Sequence, residues 1–183
     1  MIRPPCPARC LPLVRCIGAL LALSLPAAPA WCAWPHRTNV NLPVSSEFGA
    51  QQSPVSVPDG EGGAILVWQD HRGSNWDVYA QRVDAAGTAL WAPGGIPVCS
   101  ADGDQMAPVA VSDGAGGVIV AWQDNRLDFF LGWDIYALRI NAQGELPLGW
   151  PSCGIAMALS GKLEFAPVIA PDGAGCAYVA WEF

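Results

Sequence analysis

The chain has 183 residues, 52% of them hydrophobic and 14% charged, with a formal charge of −7 and with 20 Gly, 17 Pro and 9 Trp. That hydrophobic content excludes a disordered polymer, and the acidic balance argues against nucleic acid and anionic membrane as partners, since both are themselves negative. Glycine and tryptophan recurring at intervals point instead to many short strands joined by turns.

Residues 1–30 differ in kind from the rest. Arg3, Arg9 and Arg15 precede the apolar run from Ile17 to Leu25, and Ala28-Pro29-Ala30 supplies small residues for a signal peptidase. A charged start, a short apolar core and a small-residue site make a secretory signal peptide, too short to span a bilayer. The expected location is secreted, at the cell surface or in a periplasm, with no membrane insertion after cleavage. Beyond Ala30 stand sixteen acidic and six basic side chains, a formal charge of −10. Cys32, Cys99, Cys153 and Cys176 also remain there. Export permits disulfides, but these cysteines fall at non-equivalent places in the pattern described next, so pairing and free buried thiols both stay open.

After a linker at 31–41, one pattern recurs. Leu42-Pro43-Val44-Ser45-Ser46 reads as a lone outer strand. Residues 53–100 and 107–160 are two full units, and 166–183 begin a third. Trp68, Trp122 and Trp181 mark the period, 54 and then 59 residues. Each unit opens with a Pro-Val strand such as Pro108–Val111, turns at Asp-Gly-x-Gly, and runs into an apolar strand such as Val118–Trp122. That continuous run implies burial on both faces. A third strand, Asp134–Ile140 in the second unit, ends at Asn141-Ala142-Gln143-Gly144. The fourth, Gly154–Leu159, matches Ile96–Ser100, whose Pro97 requires a sheet edge. Four antiparallel strands per unit describe a blade of a β-propeller, and self-similarity at this period is a repeat signature. The expected fold is all-β, about two and a half blades of an incomplete ring, with the remaining blades on a longer chain.

The motif Trp-Gln-Asp-x-Arg followed by Trp-Asp-Ile/Val-Tyr-Ala-x-Arg resembles repeats of large secreted bacterial β-propeller proteins over most of residues 42–183. The resemblance implies an extracellular binding or display module whose partner is a protein or a glycan. A propeller hydrolase acting on polysaccharide is the alternative. Ser112-Asp113-Gly114-Ala115-Gly116 carries residues of the sialidase Asp-box at the wrong spacing, so no glycosidase residues transfer.

Asp70, Arg72 and Asp77 recur as Asp124, Arg126 and Asp134 in the loops between second and third strands. Gathered on one face they could bind a cation or polar ligand. The favoured reading is structural: an Asp to Arg pair in each unit, with Asp77 and Asp134 capping loop backbone. Trp68, Trp122 and Trp181 are expected between blades. An insertion in the second unit brings Phe129, Phe130 and Leu131 to a loop tip, a candidate partner contact. His36 and His71 have no neighbour at metal-ligand spacing, and Asp102 with Asp104 reads as an acidic turn. No catalytic residue, cofactor site or metal site is assigned.

Overall fold

A computed structural model describes residues 41–127, 132–159 and 162–183. The described residues are all β, without a helix, in three antiparallel sheets that do not close on one another. The first holds β1 (Gln51–Pro58), β2 (Ala64–Asp70), β3 (Asp77–Val83) and β4 (Ile96–Cys99) in chain order. The second holds β5 (Gln105–Ser112), β6 (Val118–Asp124), β7 (Asp134–Ile140) and β8 (Ile155–Ala158) in the same order, and the third pairs β9 (Phe165–Pro171) with β10 (Ala177–Glu182).

The turn between first and second strands shows why the sequence repeats. Asp113 Oδ1 accepts the amides of Ala115 and Gly117 at 2.8 Å each, closing a tight loop whose Gly114 and Gly116 sit at φ of 74° and 84°. Asp59 and Asp172 make the corresponding pairs of bonds. Glycine at 117 answers a separate demand: a Cβ there would lie 2.3 Å from the Ile140 carbonyl, and one at Gly63 would lie 2.1 Å from that of Val83. Arg139 then ties the end of β7 to the turn, donating to Asp113 Oδ2 from Nε and Nη2 at 3.0 and 2.9 Å. Arg82 does the same to Asp59 in the first sheet.

The sheets pack face to face by strict alternation. Ile65 and Val67 on β2 meet Val118, Val120 and Trp122 on β6 in one core, while Ala121 on the other face of β6 meets Val179 of β10 in a second. Period two thus buries both faces of the middle sheet. Each fully buried Val, Ile or Leu is worth about 1.5–3 kcal/mol, so the first and larger of these cores contributes the greater share of the burial energy. β5 lies across β1, β2 and β3, and β9 lies across β5, β6 and β7. Pro97 stands on an outer strand, as a missing amide donor requires.

Leu42–Ser46, read from the sequence as a lone outer strand, is irregular among the described residues. Of the cysteines whose pairing the sequence leaves open, Cys99, at the end of β4, is bonded to Cys153, before β8. The two cysteines are brought together, with Cα atoms 4.3 Å apart, although they hold non-equivalent places in the repeat. No helix among the described residues is long and apolar enough to cross a membrane.

Candidate functional site

On a strand, residues two apart share a face, so Trp68 and Asp70 point the same way. The Trp68 indole donates to Asp70 Oδ2 at 2.8 Å. Arg72, two residues further, folds back to clasp both oxygens, from Nε at 3.0 Å and Nη2 at 2.6 Å, and adds its own backbone amide at 2.9 Å. Its guanidinium lies over the Tyr79 ring, 3.8 Å from the centroid, and the Tyr79 ring stacks on Trp68. A last bond runs from Arg72 Nη2 to the Gly94 carbonyl ahead of β4. The second unit reproduces every piece with Trp122, Asp124, Arg126, Tyr136 and the Cys153 carbonyl.

This closed unit leaves its carboxylate no free valence. Asp70 and Asp124 are fully buried. Burial alone would raise the pKa of Asp70, yet the hydrogen bonds from Arg72 and Trp68 outweigh it and hold the carboxyl below its usual value. The aromatic and guanidinium groups are likewise engaged, so the motif fixes the hairpin between second and third strands.

Asp77 and Asp134 stand opposite Asp70 and Asp124 in their ladders. The expectation that Asp77 caps the loop is corrected: among the described residues no backbone amide donates to it, and its neighbour is the Asn75 amide at 3.5 Å. Burial first and the Asp70 charge second raise its pKa to about 6. Asp134 is also raised, by burial and by Glu164, the residue just before β9. Asp104 Oδ1 accepts the Trp76 amide at 2.9 Å, and the His71 ring lies edge-on to Trp76. Among the described residues no three His, Cys, Asp or Glu side chains gather for a metal ion. Phe129, Phe130 and Leu131 lie outside the described residues, as does His36.

The glutamine of the motif has a role that sequence reasoning missed. Gln69 reaches from the first sheet to the second, its Oε1 accepting the Ala107 amide at 3.0 Å, and Gln123 repeats this with Ala166 at 3.2 Å. Ala107 and Ala166 sit at φ of 50° and 51° in a bulge of the first strand, which turns the amide out of its own ladder toward the preceding sheet. The signal was present as a Gln next to each tryptophan and a small residue before each Pro-Val, separated by about 40 residues. Pairing them requires knowing how the sheets stack.

On the outward side of the first sheet, a cleft of ≈ 250 Å³ lies between Val44 and Ser45 on one wall and Pro54, Leu66 and Trp68 on the other. On the second sheet the corresponding face of β6 is filled by the first sheet.

No family model, curated protein or solved structure matches the chain.

Proposed function

We propose that the chain is an exported repeat protein whose units are propeller blades and whose role is that of a non-catalytic binding or structural module. The observation that carries this is the fate of the repeated polar residues. Asp70, Arg72, Asp124 and Arg126 close on one another within a unit, Gln69 and Gln123 join a unit to the next, and Asp59, Asp113, Arg82 and Arg139 lock the turns. The repeat therefore builds a stack, and recognition falls to loops that differ between units, including the insertion bearing Phe129, Phe130 and Leu131. The charged start and apolar run of residues 1–30 support export. A surface carrying −10 favours neutral or basic partners, a protein face or an uncharged glycan, over nucleic acid.

Two measurements test this reading. Amino-terminal sequencing of secreted protein is expected to begin at Trp31. The mature protein, applied to an array of neutral glycans and basic proteins, is expected to retain a ligand without changing it. Release of reducing ends from a polysaccharide would replace this reading by the hydrolase one, and an unprocessed intracellular chain would remove export.

A further inference from the structure

We propose that the Cys99–Cys153 disulfide is a thiol-exchange site: a low-molecular-weight thiol attacks the Cys153 sulfur and stays there as a mixed disulfide, while Cys99 leaves as a thiolate beside Arg126. Which sulfur is attacked in such an exchange depends on access, and the rate depends on how well the departing thiolate is stabilised. The two ends of this bond differ in both respects.

Cys99 is 1% exposed and belongs to the core between the first two sheets, so a nucleophile reaches its sulfur only if the sheets part. Cys153 is half-buried and stands in the loop before β8, the outermost strand of the second sheet. Arg126 donates from Nη2 to the Cys99 sulfur at 3.2 Å, and an adjacent guanidinium favours the thiolate over the thiol. That guanidinium is fixed before the sulfur leaves. Asp124 holds it through Nε and Nη2, the Cys153 carbonyl accepts from Nη2 at 2.9 Å, and Cζ lies 3.8 Å from the Tyr136 ring centroid. Asp124 offsets part of the charge, but its oxygens are taken up by Arg126 and the Trp122 indole, and the group presented to the sulfur is an N–H donor.

The first unit shows that the clasp does not need the cysteine. Arg72 makes the same bonds to Asp70, lies over Tyr79 in the same way, and donates to the carbonyl of Gly94, which stands at the place of Cys153. What the two cysteines add is a covalent tie between the sheets that an external thiol can open. The exchange balances with that thiol alone. Its thiolate forms an S–S bond to Cys153 as the Cys153–Cys99 bond breaks, and the Cys99 sulfur takes the electron pair. A second thiol attacks the sulfur of the first, releasing their mutual disulfide and leaving Cys153 as a thiol. Two external thiols are oxidised and one protein disulfide is reduced. In the reverse direction the Cys99 thiolate recloses the bond on Cys153, whose sulfur the Ser100 amide holds nearby at 3.3 Å. None of this depends on what the loops of the repeat bind.

The oxidised mature protein is incubated with reduced glutathione at neutral pH without denaturant, quenched with N-ethylmaleimide and digested with trypsin. The digest places Cys99 in peptide 83–126 and Cys153 in peptide 140–162. Glutathione is expected on Cys153 and maleimide on Cys99, favoured over the reverse by roughly tenfold or more. Asp124→Asn combined with Arg126→Met removes both charges together and should slow the exchange, followed by intact mass, by roughly threefold or more. Mere loosening of the fold would speed it, so the sign of the change separates the two effects. Glutathione on Cys99, an even split between the two cysteines, or no mixed disulfide until urea unfolds the chain would overturn the proposal, as would unchanged or faster exchange in the double variant.

Discussion

Arg72 is the residue on which each oxygen of Asp70 depends, and the cost of removing it follows from what is left behind. Arg72→Met removes the guanidinium that neutralises a fully buried carboxylate and leaves it neutral donors, among them the Trp68 indole and the backbone amide at position 72; uncompensated buried charge costs about 3–5 kcal/mol. Urea unfolding at pH 7 should show a loss of that order. Adding Asp70→Asn removes the charge and should recover most of it; a double variant as unstable as the single one would mean that the stacking of Arg72 on Tyr79 matters more than its charge. Asp77 behaves in the opposite sense. Its carboxyl titrates near 6 in the folded chain against 3.8 in the unfolded one, so between those values the folded state holds the extra proton. Its contribution is therefore present at low pH and is lost as pH rises from about 4 to about 6. A shift of this size corresponds at most to about 3 kcal/mol, and relaxation around the site reduces it to roughly 1–2 kcal/mol. Asp77→Asn should raise stability at pH 7 by that amount and flatten the pH dependence between 4 and 6. Parallel wild-type and variant curves across that window would show that Asp77 stays ionised.

At the scale of strands, the joint between sheets rests on a bulge and a side-chain amide. Gln69→Leu keeps the volume but leaves the Ala107 amide facing an apolar group, a loss of about 1–3 kcal/mol. Hydrogen exchange at Ala107 should accelerate while the amides of β6 stay protected; unchanged exchange at Ala107 would mean that another acceptor replaces the glutamine. The bulge also marks the limit of what the sequence discloses about its own elements. The strands were legible because their patterns are local: period-two burial in Val118–Trp122, an Asp-Gly-x-Gly turn, and a proline at Pro97 that only an edge tolerates. β7 matches its expected span, Asp134–Ile140, while β5 begins at Gln105 rather than Pro108, because the ladder runs on through the bulge before the proline. The Asp70–Arg72 contact was legible for the same reason, two residues apart on one loop. The Gln69–Ala107 and Arg82–Asp59 contacts span 38 and 23 residues and depend on geometry between elements that no local pattern encodes.

At the scale of the molecule, the disulfide determines how firmly the first two sheets are held together. Cys99 and Cys153 enclose a separation of 54 residues, and closing a loop of that length is worth about 4 kcal/mol in the chain-entropy model. The repeat hid this bond because Cys153 takes the place that Gly94 holds in the preceding unit, and Cys99 has no cysteine counterpart in the next. Cys153 keeps the glycine conformation, φ 60° against 77° for Gly94, and its carbonyl receives Arg126 as that of Gly94 receives Arg72. A left-handed backbone costs a non-glycine residue about 1–2 kcal/mol, so the cross-link sits on a position that favours glycine. Two bond-free variants separate the terms. Cys99→Ala with Cys153→Ala loses the cross-link and keeps the strain; Cys99→Ala with Cys153→Gly loses both. Once the greater freedom of glycine in the unfolded chain is offset, at about 0.4–1 kcal/mol, the glycine variant should be the more stable of the two by about 0.5–1 kcal/mol, with both below the oxidised wild type. Calorimetric melts decide it. If the alanine variant melts higher, the left-handed turn is held by Arg126 and the packing of β8, and the cysteine at this place imposes no strain on the joint between the sheets.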